Sequence, residues 1–252
     1  MKIQYCSDLH LEFPENKKFI QDNPIVPKGE ILVLAGDIIP FAEMDKHDYF
    51  FDYVSENFEF VYWIAGNHEY YFSDLELRNG EFREEIRKNV FLVNNTWAHH
   101  GNTRLIFSTL WSKISPEKAW TIENGLNDFR LIKYGKNKFS TLLYNKLFEE
   151  NFEFIQKAVS KNEREKCVVV THHVPTFNNY PPQYVGSNIN EAFAVDLDSF
   201  IENSKIDFWI YGHHHSNTPD FKIGNTIMLT NQLGNVKYNE HSLFKTEKVF
   251  ET

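Results

Sequence analysis

The sequence predicts an α/β domain whose reactive groups gather at the C-terminal ends of buried strands, and three observations carry that expectation. Five apolar runs each stop at residues of metal-ligand type. Ile3-Gln4-Tyr5-Cys6 leads to Asp8 and His10, Ile31 to Leu34 leads to Gly36-Asp37, and Phe60 to Ile64 leads to Gly66-Asn67-His68-Glu69. Cys167 to Val170 leads to His172-His173, and Phe208 to Tyr211 leads to Gly212-His213-His214-His215. Open α/β sheets build their sites at such strand ends. Stretches with helical apolar spacing lie between these runs, and 252 residues at 42% hydrophobic content suffice for one large core. A single His or Asp after a strand is usually a turn residue or a cap; five such endings in one chain need another explanation.

Taken in order, residues 2–6 form the first strand. Asp8 and His10 follow, separated by one residue, so that in extended chain both side chains project from one face. Glu12 and Pro14 are expected to open irregular chain, continued by Asn23-Pro24 and Pro27-Lys28-Gly29. Strand 31–35 ends at Gly36, which lets backbone approach closely whatever Asp37 binds. Within residues 45–57, Tyr49, Phe50, Tyr53 and Val54 recur at helical spacing. Strand 60–65 follows, then an expected helix over 73–88, rich in Glu, Arg and Leu, and a strand at 90–93. Residues 104–111 read as a further buried strand. The stretch 112–138 has no clean period and is expected to be a long excursion near the site, with a surface insertion of no role as the alternative. Residues 140–160 carry a stripe of Leu142, Leu143, Leu147, Phe148, Phe152, Ile155 and Val159 that predicts a helix. Strand 167–171, a loop rich in Pro, Asn and Tyr from 175 to 190, a short helix over 196–203, strand 207–211 and closing strands at 226–230 and 243–250 complete the chain. No repeat, low-complexity tract or linker interrupts it, so one domain over 1–252 is expected.

A formal net charge of -9 argues against a broad nucleic-acid surface, which needs clustered Lys and Arg. The two cysteines, Cys6 and Cys167, lie inside apolar strands and read as buried thiols. The first residues enter a strand directly, and no apolar segment approaches the ~20 residues that span a bilayer. A cytoplasmic protein with no membrane partner is the expectation.

In order, Asp8-x-His10, Gly36-Asp37, Gly66-Asn67-His68-Glu69, His172-His173 and Gly212-His213-x-His215 resemble the motif set of the calcineurin-like metallophosphoesterase superfamily, with every block intact from residue 8 to residue 215. The resemblance implies a four-layer α-β-β-α sandwich: two mixed sheets face to face, helices outside, and a dinuclear metal site at the strand ends. It assigns Asp8, His10 and His215 to one metal, Asn67, His172 and His213 to the other, and Asp37 to the bridge between them. It makes His68 the outer-sphere histidine that binds a phosphoryl oxygen or protonates the leaving group, a role suited to a side chain titrating near neutrality. The donors are a hard-to-borderline nitrogen and oxygen set, suited to Mn²⁺, Fe or Zn²⁺ without choosing among them. Two ions ~3.5–4 Å apart hold a bridging hydroxide for in-line attack on phosphorus.

The implied activity is therefore metal-dependent hydrolysis of a phosphomonoester or phosphodiester, on a small molecule or a phosphopeptide. The alternatives are a nuclease acting on DNA or RNA ends, which the acidic chain disfavours, and a non-catalytic scaffold, which the intact Asn67, His68 and His215 disfavour. Among the remaining polar residues, His173 and His214 read as neighbours of the ligands, and His99 and His100 as part of a surface loop. Glu69 reads as an acceptor orienting a metal-binding histidine. Asp128 and Arg130 are candidates for contact with substrate phosphate, with a surface ion pair as the alternative.

Overall fold

The computed structural model describes residues 1–161 and 165–252. Among these residues the strands, in chain order, are β1 (Lys2–Cys6), β2 (Ile31–Ala35), β3 (Phe60–Ile64), β4 (Phe82–Arg87), β5 (Val90–Asn94), β6 (Thr96–His100), β7 (Thr103–Ser108), β8 (Lys133–Tyr134), β9 (Asn137–Lys138), β10 (Lys166–Thr171), β11 (Phe208–Ile210), β12 (Phe221–Ile223), β13 (Thr226–Leu229) and β14 (Val249–Glu251). The α-helices are α1 (Pro14–Asp22), α2 (Asp48–Asn57), α3 (Pro116–Gly125), α4 (Asp128–Leu131), α5 (Thr141–Ser160) and α6 (Asp198–Glu202). Two six-stranded sheets run in the orders β14-β1-β2-β3-β5-β4 and β12-β13-β11-β10-β7-β6, and β8 pairs with β9 in a separate ribbon. Each sheet has four parallel inner strands and one antiparallel strand at either edge. Parallel neighbours need crossovers: α1, α2, α5 and α6 lie in four of the six, and the antiparallel edge strands β4 and β12 lie in the other two.

The alternation within each run decides the layering. Ile3, Tyr5, Ile31, Val33, Tyr62 and Ile64 face Leu105, Phe107, Val168, Val170 and Ile210 across the space between the sheets. The intervening Leu32, Leu34, Val61 and Trp63 pack outward with Phe50, Phe51 and Val54 of α2, while Leu147, Ile155 and Val159 of α5 and Ile201 of α6 belong to the same outer core. Sheets covered on both faces read as unbroken apolar runs, because neither side of the strand meets water. The result is the helix, sheet, sheet, helix sandwich with its strand ends gathered at one rim.

Several local expectations need correction. The chain after Glu12 is α1: Pro14 sits in its first turn, where the missing N–H costs nothing, Glu15 suits the positive end, and Asn16 and Ile20 are buried. Residues 73–88 hold a short 3₁₀ turn, Leu75–Arg78, and then β4 rather than a helix. Phe82 to Glu85 pair residue by residue with Asn94 to Phe91 of β5, Phe82 and Ile86 lean on the core, and Arg83 lies 4.0 Å from the Phe91 ring. His99 and His100 belong to β6, antiparallel to β7, with His99 Nδ1 2.9 Å from Glu165 and His100 Nε2 2.8 Å from the Tyr62 hydroxyl. The stretch 112–138 is ordered, folding into α3, α4 and the β8–β9 ribbon. Of the closing strands, β13 forms as expected, β12 pairs beside it unanticipated, and 243–250 yields only β14.

Candidate metal centre

At the strand ends the backbone turns through conformations that L-residues rarely adopt. Asp8, His10, Asp37, His213 and His215 have φ of 56°, 44°, 53°, 81° and 50°. Left-handed backbone costs a non-glycine residue roughly 1–3 kcal/mol and persists where the surroundings enforce it, typically at sites of function. Gly36 (φ 87°) and Gly66 provide the clearance: a Cβ at Gly36 would fall 2.4 Å from His172 Nδ1, and one at Gly66 2.2 Å from Asp37 Oδ1. Both sheets contribute. Asp8, His10, Asp37 and Asn67 follow β1, β2 and β3, while His172, His213 and His215 follow β10 and β11.

Six of these seven residues form two groups that share Asp37. Asp8, His10, Asp37 and His215 place one donor atom each within 4.8 Å of one another, and Asp37, His172 and His213 do the same. The ring partners fix which nitrogens carry protons. His10 Nδ1 lies 3.1 Å from Glu12 Oε1 and His215 Nδ1 lies 2.8 Å from Glu240 Oε2; a carboxylate only accepts, so both Nδ1 atoms donate. His172 Nδ1 donates to the Ala35 carbonyl at 2.9 Å, and His213 Nε2 to the Ala192 carbonyl at 3.2 Å. The remaining ring nitrogens face each other, His10 Nε2 against His215 Nε2 at 2.9 Å and His172 Nε2 against His213 Nδ1 at 3.1 Å. Two neutral rings so opposed repel unless a cation, a metal ion or a shared proton, lies among them.

Asn67 points the same way. Its Nδ2 donates to Asp128 at 3.0 Å, which turns Oδ1 inward, where that oxygen is buried with no hydrogen-bond partner. Buried oxygens seldom stay unpartnered; a divalent ion would complete it. Asp37 stands between the groups, Oδ2 3.6 Å from His10 Nε2 and Oδ1 3.4 Å from His172 Nε2. The donor set therefore fits two divalent ions. Its anionic field also draws protons: burial opposes a charge on His172, yet Asp37, Asp8 and Glu69 raise its pKa to about 10. Deeper in, burial holds the His213 ring neutral, far below the usual histidine range.

His68 sits beside the first group, its ring 4.4 Å from that of His10 and stacked at 4.1 Å on Tyr71. Its Nδ1 lies 3.0 Å from Glu12 Oε1, the same oxygen that His10 engages. Burial works against a charge on His68, but Asp37 and Glu12 outweigh it and raise its pKa to about 9. Burial likewise opposes the charge of Glu12, and the two imidazoles outweigh it, bringing its pKa down to about 2. Sequence reasoning missed Glu12, although it continues the alternation Asp8-x-His10-x-Glu12. Tyr71 and Glu240 carry no comparable local signal.

Other expectations change. Asp128 forms no surface ion pair: it is buried beside the cavity and accepts from Asn67 Nδ2 and, at 2.7 Å, from the Tyr71 hydroxyl. Glu69 orients no histidine. It accepts from the backbone N–H of Asp37, Ile38 and Gly66 and from Trp63 Nε1, at 2.9, 2.7, 2.6 and 3.0 Å. Burial and the nearby Asp37 push its pKa upward, yet four N–H donors on two oxygens require the ionised form. Arg130 is exposed and donates to the Asn124 carbonyl. His173 is packed against His213 at 4.2 Å and Trp111 at 5.2 Å, and His214 Nδ1 accepts from Gln232 Nε2 at 3.0 Å; both are buried.

The family model of calcineurin-like phosphoesterases matches residues 1–217, a span that contains all seven converging residues. The chain belongs to the calcineurin-like phosphoesterases. This phosphoesterase is 33% identical over 258 residues to the uncharacterized protein L509 of Acanthamoeba polyphaga mimivirus, covering 92% of the chain and 90% of the viral protein. Its fold is similar to that of phosphopantetheinyl hydrolase from Mycobacterium tuberculosis, with a TM-score of 0.74 at 13% identity over 99% of this chain and 95% of the other. A dimetal phosphatase from Danio rerio aligns at a TM-score of 0.50 and 12% identity over 92% and 87% of the two chains.

Over the centre of this phosphoesterase lies a cavity of about 300 Å³, floored by Asp37, Asn67, His68, His213 and His215. One wall is residues 125–128, from the end of α3 into α4; the other is drawn from residues 180–193. The walls are tied together. Lys118 Nζ donates to Asn188 Oδ1 at 2.7 Å, the Ser115 N–H to Glu191 Oε2 at 2.7 Å, and Ser112 Oγ to the Glu191 carbonyl at 2.8 Å. The 112–138 excursion thus reaches the site, through residues 125–128 and not through Arg130. Among the described residues, no helix is long and apolar enough to cross a membrane.

Proposed function

We propose that residues 1–252 act as one cytoplasmic, metal-dependent phosphoesterase domain that hydrolyses a phosphomonoester or phosphodiester of a small molecule. Asp8, His10, Asp37 and His215 hold one divalent ion, Asn67, His172 and His213 the other, and Asp37 belongs to both. The observation that carries this reading is the two pairs of opposed imidazole nitrogens, at 2.9 and 3.1 Å, clustered on either side of one shared carboxylate.

Two bound ions, Mn²⁺, Fe or Zn²⁺ by the donor chemistry, supply Lewis acidity at the phosphoryl oxygens and lower the pKa of a water to near neutrality. The chain's own residues do the rest. Glu12 keeps the His68 proton on Nδ1, so Nε2 is the nitrogen free to meet substrate. The Glu12 carboxylate beside it favours the protonated ring, which can bind a phosphoryl oxygen and give a proton to the departing oxygen. Tyr71 stacks on His68 and hydrogen-bonds Asp128, which also holds Asn67, so one buried carboxylate positions both the ligand amide and the wall behind the acid.

The test is a panel of aryl monoester, aryl diester, cyclic nucleotide and single-stranded DNA with added Mn²⁺, alongside metal analysis. Two ions per chain, Asp37→Asn lowering occupancy of both, and turnover of the small esters are expected. One ion or none at saturating metal contradicts the centre, and no turnover of any ester leaves the scaffold reading.

A further inference from the structure

Among the described residues, the walls of the cavity contain no lysine or arginine. Above the polar floor they consist of rings and aliphatic groups, Tyr71, Tyr180, Tyr184, Phe193, Leu126 and Ile189, interspersed with the neutral Asn127, Ser187 and Asn190. Two cations close to this wall in the chain are turned elsewhere, Lys118 to Asn188 and Arg130 to the Asn124 carbonyl. Every positive group able to meet a phosphate is therefore on the floor. A second anionic group on the substrate would lose its hydration along these walls, find no counter-charge, and lie near Asp128 in a chain of net charge -9.

The walls suit what they contain. Partly buried aromatic rings present flat apolar faces, and stacking on them tolerates any planar ring, while amide and hydroxyl groups can pair with its edge. A volume of about 300 Å³ is at the small end for ligand sites and leaves room for one ring-bearing group of nucleoside size beside the phosphate. The hydrogen bonds between the walls mean the space exists before substrate arrives.

From this we infer that the enzyme takes a phosphoester with a single phosphate joined to a neutral, planar-ring-bearing group of nucleoside size, and discriminates against polyanionic substrates. The inference rests on the phosphoesterase reading and adds the chemistry of the non-reacting part.

A matched series tests it on the full chain loaded with Mn²⁺: methyl 4-nitrophenyl phosphate, thymidine 5′-(4-nitrophenyl phosphate), and the latter bearing a 3′-phosphate. Reacting phosphorus and leaving group are the same throughout. The thymidine ester should exceed the methyl ester in kcat/KM by about tenfold, the worth of one ring stack, and the 3′-phosphate should erase that gain. Tyr184→Ala should lower the thymidine-to-methyl ratio by a similar factor, and Ser187→Lys, which puts a cation on the wall, should restore the 3′-phosphate ester. Equal turnover of methyl and thymidine esters, or preference for the 3′-phosphate ester, overturns the inference. If none of the three diesters is hydrolysed and 4-nitrophenyl phosphate, the monoester, is left intact as well, the phosphoesterase reading fails by itself. The pocket is then judged by calorimetric titration with thymidine: binding weakened by Tyr184→Ala supports it, and no binding overturns it.

Discussion

Glu12 joins two functions through one atom, since Oε1 accepts from both His10 and His68 while Oε2 is buried without a partner. Removing a carboxylate behind a ligating histidine typically costs 10–100-fold in metal affinity. Glu12→Ala should lose about that much at the His10 group together with turnover, as measured by metal titration and steady-state rates. Glu12→Gln, whose carbonyl still accepts, should recover part of both; identical behaviour of the two variants would mean that Glu12 serves packing alone. His68→Ala should keep its metals and lose a factor of ~10²–10⁴ in turnover, less for esters with good leaving groups, because those need little protonation. Losses equal for good and poor leaving groups would remove the acid role. His214 governs a different property. Burial, with charged His215 nearby, holds its pKa down to about 3. Between about pH 6.5 and 3 the unfolded chain binds a proton that the folded chain refuses. Stability therefore falls as pH drops through that window, on the order of 4 kcal/mol by its lower end. Urea denaturation of metal-free protein should show the fall, and His214→Gln should remove the His214 share of it, leaving that of His173 and His213, which burial also holds neutral.

At the scale of elements, the ends of β2 and β3 are held together by Glu69, whose four donors come from Trp63 in β3, from Gly66 after it, and from Asp37 and Ile38 after β2. Each buried donor left unpaired costs about 1–3 kcal/mol. Glu69→Ala should thus destabilise the fold by at least ~3 kcal/mol and lower metal occupancy, since Asp37 loses its backbone support; a loss below ~1 kcal/mol by chemical denaturation would show that water replaces the carboxylate. The strand ends themselves were legible in sequence, because buried parallel strands leave unbroken apolar runs and their ligands follow within a few residues. The crossover α1 was misread because Pro14 signals a break, although proline at a helix start is compatible with the helix. β4 reads as a helix because its Glu and Arg residues resemble a solvated face and its apolar Phe82 and Ile86, four residues apart, fit a helix as well as a strand. Asp128 could not be placed from sequence at all, as its partner Asn67 lies 61 residues away, a contact made by tertiary packing.

For the molecule as a whole, the centre draws its residues from both sheets, so bound metal links two layers otherwise joined through an apolar interface. A ligand that binds only the folded state at 100 times its Kd adds ~2.7 kcal/mol, and for a chain of this size that corresponds to about 5–10 °C in Tm. Chelation should lower the Tm of the loaded protein by that amount and added Mn²⁺ should restore it, read by calorimetry; a Tm indifferent to chelator would mean that the centre is not preformed. Away from the site, the outer edge strand β4 carries Arg83, Glu84, Glu85 and Arg87 and is bulged between Glu85 and Arg87. An open sheet edge invites another chain to add a strand and begin a fibre, and charge and irregularity are what discourage it. The residues that disguise β4 as a helix thus act against self-association, and their replacement by valine would turn this flank of the sandwich into a nucleus for aggregation.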